Sequence, residues 1–192
     1  MPFKEKILIA LNLIILLLGS IYFLQSLNFE FVLYVAVLVL LAAFVYRLHR
    51  KFNLSFTVLL GLSIWAWLHI AGGSLPFEGS VLYNWQVLDL IGEPYVIFKY
   101  DQFVHFFGFA VTALLFSECL KPSLSQSARL TLAVVSFFAA MGAGALNEIV
   151  EFVATVLVPE TNVGGYYNTA LDLVFNAAGA LVAGLYIFFK KN

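Results

Sequence analysis

Charged residues are scarce in this chain. Only 11% of its 192 residues are Asp, Glu, Lys or Arg, whereas about 25% is usual for a soluble domain. So few charges cannot cover a soluble surface, and ten Lys and Arg residues without a basic patch do not suit binding to nucleic acid. The single cysteine, Cys119, excludes both a disulfide framework and a cysteine-rich zinc site. The composition therefore excludes a soluble enzyme, a disordered protein and a nucleic-acid binder.

Hydrophobic residues make up 62% of the chain, and they are grouped in long runs. A membrane-spanning helix needs roughly 20 mostly apolar residues, because the hydrocarbon core of a bilayer is about 30 Å thick. Six segments meet this requirement, at about 7–25, 31–48, 54–72, 101–120, 130–157 and 167–189. The first segment follows Lys4 and Lys6, as in a signal peptide, but its apolar run is too long and no A-x-A-like cleavage site follows it. We therefore expect an all-α integral membrane protein with a single domain of six transmembrane helices.

The distribution of Lys and Arg predicts how these spans are oriented. If both termini are cytoplasmic, nine of the ten basic residues lie on the cytoplasmic side and only Lys99 lies outside. The sequence thus predicts a multi-pass protein of the inner membrane, with its long loop between spans three and four, at about 73–100, on the outer side. We expect the middle of that loop, residues 81–91, either to lie flat as an interfacial helix or to dip back into the membrane.

Polar residues mark spans three to six, and each is a functional hypothesis because ionisable groups are costly inside a bilayer. Spans one and two have no ionisable residue in their interiors, so we expect them to lie at the periphery. On spans four and six the polar residues recur every three or four positions and share one helical face. The ionisable positions are His69 on span three, Asp101 and His105 on span four, Glu148 and Glu151 on span five, and Asp172 on span six.

These ionisable residues are expected to lie at one depth. At 1.5 Å per residue, Glu148 lies roughly 28 Å above Arg129, and His105 and Asp172 lie roughly 5–10 Å inside the outer ends of their helices. The six side chains would then line one cavity that opens to the outer face.

The charge balance of that cavity is uneven, because it holds four carboxylates and two imidazoles but no Lys or Arg from the spans. Four buried like charges cannot all remain ionised without compensation. Shared protons, protonated histidines, Lys99 at the rim or a divalent metal such as zinc, manganese or iron would provide it. The predicted metal ligands are His105, Glu148, Glu151 and Asp172. The predicted catalytic residues are Glu148, Glu151 and His105, and the predicted substrate-binding residues are His69, Asp101, Asn168 and Asn176.

Purely structural explanations exist for several of these residues. Asn147, Asn168 and Asn176 would also serve to hydrogen-bond neighbouring helices. Asp101 would also suit a cap at the start of span four, and His69 a structural role near the headgroups. The small residues at 139–145 predict a surface for close helix packing.

The motifs in spans three to six resemble a known family. The pattern His69-x-x-Gly-Gly, Tyr-Asp101-x-x-x-His105-Phe, Asn-Glu148-x-x-Glu151-Phe and Asn168-x-x-x-Asp172 resembles the bacterial YjdF-like inner-membrane proteins. One departure is Asn168, where the YjdF-like pattern usually has an acid. From span four onward the chain also resembles VanZ-like membrane proteins. The resemblance covers about residues 65–185 and implies a multi-span membrane protein. Its VanZ-like part points to the cell envelope, because VanZ-like proteins are associated with glycopeptide-antibiotic resistance, but it supplies no reaction.

Three functions remain open. The first is a membrane-embedded enzyme that acts at the outer leaflet on a lipid or an envelope precursor, with a spare carboxylate as general base. The second is a proton- or cation-coupled transporter, although the sequence has no inverted repeat and no polar path from the cavity to the cytoplasm. The third is a non-catalytic component that binds a lipid or a partner. The enzyme is favoured over the transporter, and the expected partners are the lipid bilayer and a lipid or envelope-precursor ligand.

Overall fold

The computed structural model of the protein describes residues 1–88, 90–93, 95–125 and 127–190. Six long helices dominate it, and each is long and apolar enough to cross a membrane. The predicted all-α architecture of six membrane-spanning helices is therefore confirmed. The helices are α1 Phe3–Gln25, α2 Phe29–Phe52, α3 Phe56–Ser74, α4 Tyr100–Leu120, α5 Arg129–Leu157 and α6 Tyr166–Phe189.

The ends of the helices follow from local chemistry. The side chain of Asn28 accepts a hydrogen bond from the backbone three residues on and so caps α2. Asn53 ends α2 in the left-handed conformation, with φ 52°, which asparagine tolerates better than most residues. Ser55 caps α3, and its own backbone N–H donates to Glu118 Oε2 at 2.7 Å. Glu118, for which no role was expected, thus ties the start of α3 to α4.

Helices α4, α5 and α6 form a tight group because small residues separate them. The buried residues between them are Ala113, Ala140, Ala180 and Ala183. At Gly179 the approach is closest, since a Cβ built there would lie 1.9 Å from the carbonyl oxygen of Phe106. The backbones of α4 and α6 are therefore in contact at this point, which only glycine permits.

Helix α1 packs against α2 and α3, and α2 contacts both α3 and α4. The first turns of α2 belong to the core. Phe31 and Tyr34 are 2% and 7% exposed and pack against Ile70 of α3. Phe23 at the end of α1 is fully buried and stacks on Phe31. The end of α1 and the beginning of α2 therefore do not have the expected peripheral position.

Large apolar side chains cover the outside of the bundle. Phe138, Leu146 and Phe152 of α5 are 65%, 64% and 65% exposed. Apolar surface on this scale is costly in water, whereas hydrocarbon accepts it. The exposed face of α5 therefore suits contact with lipid.

The segment between α3 and α4 folds back onto the bundle. Strands β1 Pro76–Phe77 and β2 Ser80–Val81 pair antiparallel, and a single 3₁₀ turn follows at Leu82–Asn84. The interfacial helix expected over residues 81–91 is wrong, because the described residues of that segment form no α-helix. One reason is Tyr83, whose side chain is only 6% exposed and packs into the core beside Ile70.

Candidate functional site

His105 of α4 lies at the centre of four carboxylates. The imidazole is 6% exposed. Its Nε2 atom is 3.6 Å from Asp101 Oδ1, 3.9 Å from Glu151 Oε1 and 4.0 Å from Asp172 Oδ1. Its Nδ1 atom is 3.8 Å from Glu148 Oε1. We call these five residues the acidic cluster.

Helices α4 and α5 each contribute to the acidic cluster two residues about one turn apart, and α6 contributes Asp172. Asp101 and His105 are four residues apart on α4, and Glu148 and Glu151 are three apart on α5, so each pair shares a helical face. The contact between α4 and α6 at Gly179 brings Asp172 of α6 close to the face of α4 that carries His105. The structure thus brings together five of the six ionisable residues that were expected to meet.

Asn176 of α6 sets the orientation of the central imidazole. Its Oδ1 atom is 3.0 Å from His105 Nδ1, and its side chain is fully buried. An amide oxygen only accepts hydrogen bonds, so Nδ1 carries the proton in this pair. The other ring nitrogen, Nε2, faces Asp101, Glu151 and Asp172. A hydrogen bond to the far nitrogen is also what orients histidine ligands in metal sites.

Asn168 connects the acidic cluster to its rim. Its Nδ2 donates to Asp172 Oδ2 at 2.6 Å and to Asp101 Oδ2 at 3.5 Å. Its Oδ1 accepts from Lys99 Nζ at 2.7 Å. Lys99, expected to reach in from the rim, therefore approaches the cluster through this amide.

Several carboxylate oxygens of the cluster lack a partner. Glu151 Oε1 accepts a hydrogen bond from Asn147 at 2.8 Å. Neither oxygen of Glu148, nor Oδ1 of Asp172, has a hydrogen-bond partner within the part of the chain that the structure describes. These two side chains are 9% and 0% exposed. Because a buried unpaired acceptor is destabilising, the arrangement suits an additional proton or cation.

Asp101 does not cap α4. Its carboxylate is directed towards His105 and Asn168. The start of α4 is capped instead by Gln102, whose Oε1 accepts hydrogen bonds from the backbone N–H groups of Phe98 and Lys99 at 2.6 and 3.1 Å. The capping explanation for Asp101 is therefore wrong, and its carboxylate belongs to the cluster.

His69 lies beside the cluster in a cage of aromatic rings. Ring centroids of Phe31, Tyr34 and Trp65 are 6.4, 5.6 and 5.8 Å from its imidazole, and its Nδ1 is hydrogen-bonded to the hydroxyl of Tyr83. Burial raises the pKa of the Tyr83 hydroxyl well above its usual range, and nearby carboxylates add to the effect. The hydroxyl thus stays protonated in its hydrogen bond with His69 Nδ1. His69 therefore belongs to this cage and not to the ring of groups around His105.

A small cavity of about 20 Å³ lies between the aromatic cage and the cluster. His69, Tyr34, Asn147 and Glu151 are among the residues that line it. A water molecule needs roughly 10–15 Å³ and two to four polar partners. This position therefore has the size and polarity for one water molecule in contact with Glu151.

Glu30 is a buried carboxylate that the sequence analysis missed. It is 5% exposed, accepts a hydrogen bond from the hydroxyl of Tyr34 at 3.1 Å, and accepts another from the backbone N–H of Asn162 at 2.8 Å. The predicted second span began at residue 31, whereas α2 begins at Phe29. The spacing of Glu30 and Tyr34, one helical turn apart, is the signal that would have extended the span.

Two overlapping sets of side chains have the geometry to hold a metal ion. They are Asp101, His105 and Asp172, and His105, Glu148 and Glu151, and within each set the ligand atoms lie within 4.8 Å of one another. Imidazole and carboxylate are the ligands that zinc, manganese and non-haem iron use in proteins.

The fold and the cluster together define a class: a polytopic helical membrane protein with a buried histidine surrounded by carboxylates. Residues 6–192 match the family model described as "Predicted membrane protein (DUF2238)", and the chain therefore belongs to this family, which includes YjdF. No curated protein and no solved structure matches the chain. The match does not bear on the VanZ-like part of the resemblance, which stays a prediction.

Proposed function

We propose that this protein is a metal-dependent hydrolase of the inner membrane that acts at the outer leaflet on a lipid or a cell-envelope precursor. The observation that carries the proposal is the arrangement around His105 Nε2. Three carboxylate oxygens, from Asp101, Glu151 and Asp172, lie 3.6–4.0 Å from this atom. They come from three different helices.

These distances suit ligands that share one ion. In a tetrahedral site with bonds of about 2.1 Å, neighbouring ligand atoms are roughly 3.4 Å apart. Asp101 and Asp172 belong with His105 to one of the two sets described above, and Glu151 belongs to the other, so the proposed shell draws on both sets. Asp101 replaces Glu148 in this ligand set, because Glu148 lies on the Nδ1 side of the ring, where Asn176 already holds the nitrogen.

The charges of the cluster favour the same assignment. Its four carboxylates amount to four negative charges when they are ionised. A divalent ion and Lys99, which reaches the cluster through Asn168, would compensate three of them. The fourth carboxylate, Glu148, has no hydrogen-bond partner among the described residues.

Glu148 is therefore the proposed general base. Glu148 would take a proton from a water molecule as the oxygen of that water attacks the electrophilic centre of the substrate, and would pass the proton to the leaving group as the bond is cleaved. A divalent ion held by the four proposed ligands would make that water more acidic. The ion would also polarise the bond that is cleaved. Asn168 and Lys99, at the rim, would contact the polar part of the substrate.

The packing below the cluster favours an enzyme over a transporter. Ala113, Ala140 and Ala180 close the space between α4, α5 and α6, and Gly179 brings two backbones into contact. Alternating access requires such an interface to open towards the opposite face of the membrane. A site with one polar mouth instead suits chemistry at a single membrane surface.

The test is metal analysis of the purified protein. Prepared without chelator, the wild type should contain a stoichiometric amount of zinc, manganese or iron. Glu151→Gln and Asp172→Asn should each weaken metal binding by more than about 100-fold, since loss of a second-shell partner alone costs about 10–100-fold. Glu30→Gln is the matched control, because it removes a buried carboxylate whose partners are Tyr34 and Asn162.

The control variant should keep its metal, and all variants should insert and purify as the wild type does. A wild-type protein that neither contains metal nor binds added zinc, manganese or iron would contradict the proposal. Its acidic cluster would then be held together by shared protons, and a binding or structural role would replace catalysis.

A further inference from the structure

A large groove runs along the side of the bundle. Its volume is about 890 Å³, at the upper end of the roughly 300–1,000 Å³ typical of ligand pockets. Helices α1 and α2 form one wall, α3 and α4 form the floor, and α5 forms the opposite wall. The residues of α5 that line it are Ala139, Gly142, Ala143, Leu146, Asn147 and Val150. This spacing places all six on one face of the helix.

Small side chains on α5 keep the groove wide. Around Gly142, an added Cβ would meet no described atom within 4 Å. Gly144 is different, since a Cβ there would lie 2.8 Å from Asn176 Nδ2. The small residues at 139–145, expected as a packing surface, therefore serve two purposes: Ala140 and Gly144 face the other helices of the tight group, while Ala139, Gly142 and Ala143 face the groove.

The groove is continuous with the candidate site. It shares Trp65, Asn147 and Val150 with the small cavity beside Glu151. Asn147 stands at the junction, and its Nδ2 donates to Glu151 Oε1 at 2.8 Å. An occupant of the groove would therefore have one end next to the acidic cluster.

The polar side chains that cross the body of the groove are hydrogen-bonded to one another and to the backbone. Asn12 donates to Ser63 Oγ at 2.8 Å and accepts from Trp67 Nε1 at 2.8 Å. The hydroxyl of Ser63 donates in turn to the backbone of α3. At the far end, Glu5 and His49 face each other at 3.6 Å. At that far end His49 Nδ1 has no hydrogen-bond partner among the described residues, and at the candidate site the same holds for oxygens of Glu148 and Asp172.

We infer that this groove binds the hydrocarbon chain of a membrane lipid, with the polar head of that lipid at Asn147 and Glu151. The inference rests on the proposed function only in taking the polar head of this lipid as the part that is hydrolysed. A groove between membrane-spanning helices is surrounded by hydrocarbon, so an apolar chain is the occupant that the bilayer supplies. Most of the groove lining is apolar, and the end at Asn147 adjoins the polar groups of the candidate site. The substrate class is thus a lipid, and a water-soluble envelope precursor does not fit.

The experiment uses the full-length protein in vesicles of phosphatidylethanolamine and phosphatidylglycerol. A phosphatidylglycerol with a diazirine in its acyl chain is the probe, and crosslinked residues are identified by mass spectrometry. The wild type should be labelled on the groove face of α5. Ala143→Trp should reduce that labelling by about tenfold, the effect of about 1.4 kcal/mol. Ala145→Trp is the matched control, because residue 145 lies on the exposed face of the same turn and outside the groove.

Gly142→Leu is a second variant in case Ala143→Trp does not fold, since residue 142 has open space around it. Both groove variants should keep their metal. Equal labelling in wild type and groove variants, or labelling spread evenly over the exposed face of α5, would overturn the inference. If the wild type shows groove labelling that Ala143→Trp abolishes but holds no metal, the proposed hydrolase is wrong and the lipid groove stands.

Discussion

Replacing Gly179 by alanine tests the contact on which the candidate site depends. A Cβ at residue 179 would lie 1.9 Å from the carbonyl oxygen of Phe106, whereas real Cβ atoms do not approach closer than 3.0 Å. The opposing atom belongs to the backbone, so no side-chain rotation relieves the clash. Helices α4 and α6 must therefore separate by about 1 Å, the difference between these two distances.

This separation lowers the free energy of unfolding in two ways. Overpacking of a well-packed interface costs about 1–3 kcal/mol. Phe106 adjoins His105, and Gly179 lies one turn after Asn176, so the same movement lengthens the 3.0 Å hydrogen bond between His105 and Asn176 beyond bonding distance. The lost bond adds about 0.5–1.5 kcal/mol. We expect Gly179→Ala to be about 2–4 kcal/mol less stable than a variant that carries the same change without the clash.

Gly142→Ala is that reference. It lies inside α5, where an added Cβ meets no described atom within 4 Å, and both substitutions gain the same helix propensity, about 1 kcal/mol. The assay is unfolding in mixed micelles with increasing sodium dodecyl sulfate, followed by circular dichroism, with metal content measured in parallel. Gly179→Ala should unfold at a lower detergent fraction and lose metal. Equal stability of the two variants would refute the close approach of α4 and α6.

Two further predictions concern the imidazole and the membrane orientation. Asn176→Leu removes the acceptor of the His105 Nδ1–H. This loss should destabilise the protein by about 1–3 kcal/mol and weaken metal binding about 10–100-fold, as measured by unfolding and by metal titration. Unchanged metal affinity would contradict the role of Asn176. In a Cys119→Ser background, Ser80→Cys should react with an impermeant thiol reagent on intact cells, while Arg50→Cys should not. The reason is that the charge asymmetry predicts the long loop on the outer side. The reverse labelling pattern would overturn the predicted orientation.

Most of the fold could be predicted because a bilayer imposes strong constraints on sequence. Long apolar runs identified all six helices, and their ends moved by only a few residues in the structure. The composition of the cluster was equally accessible, since helical geometry alone puts Asp101 and His105, or Asp172 and Asn176, on one face. Such pairs do not depend on the neighbouring helices.

The position of His69 could not be predicted in this way. The helical rise gives the depth of a residue in the membrane, but not the rotation of one helix relative to the next. His69 lies at the expected end of the bundle, yet rings from α2, and Tyr83 from the loop, enclose it. The relevant neighbours are far away in sequence, and the loop that supplies Tyr83 has no periodic pattern. Glu30 was missed for a simpler reason, because helix ends are the least certain part of a sequence-based prediction.

Helix α5 belongs both to the tight group and to the groove, because small residues lie on two adjacent faces of it. One face of α5 carries Ala140 and Gly144, which allow close contact with its neighbours and so hold Glu148 near His105. The adjacent face carries Ala139 and Gly142, where the same small side chains leave space. A small residue in a membrane helix thus permits either close packing or a cavity, and the neighbouring helix decides which. Residues of α1, α2 and α5 line the same groove, and this groove adjoins the small cavity that Glu151 lines.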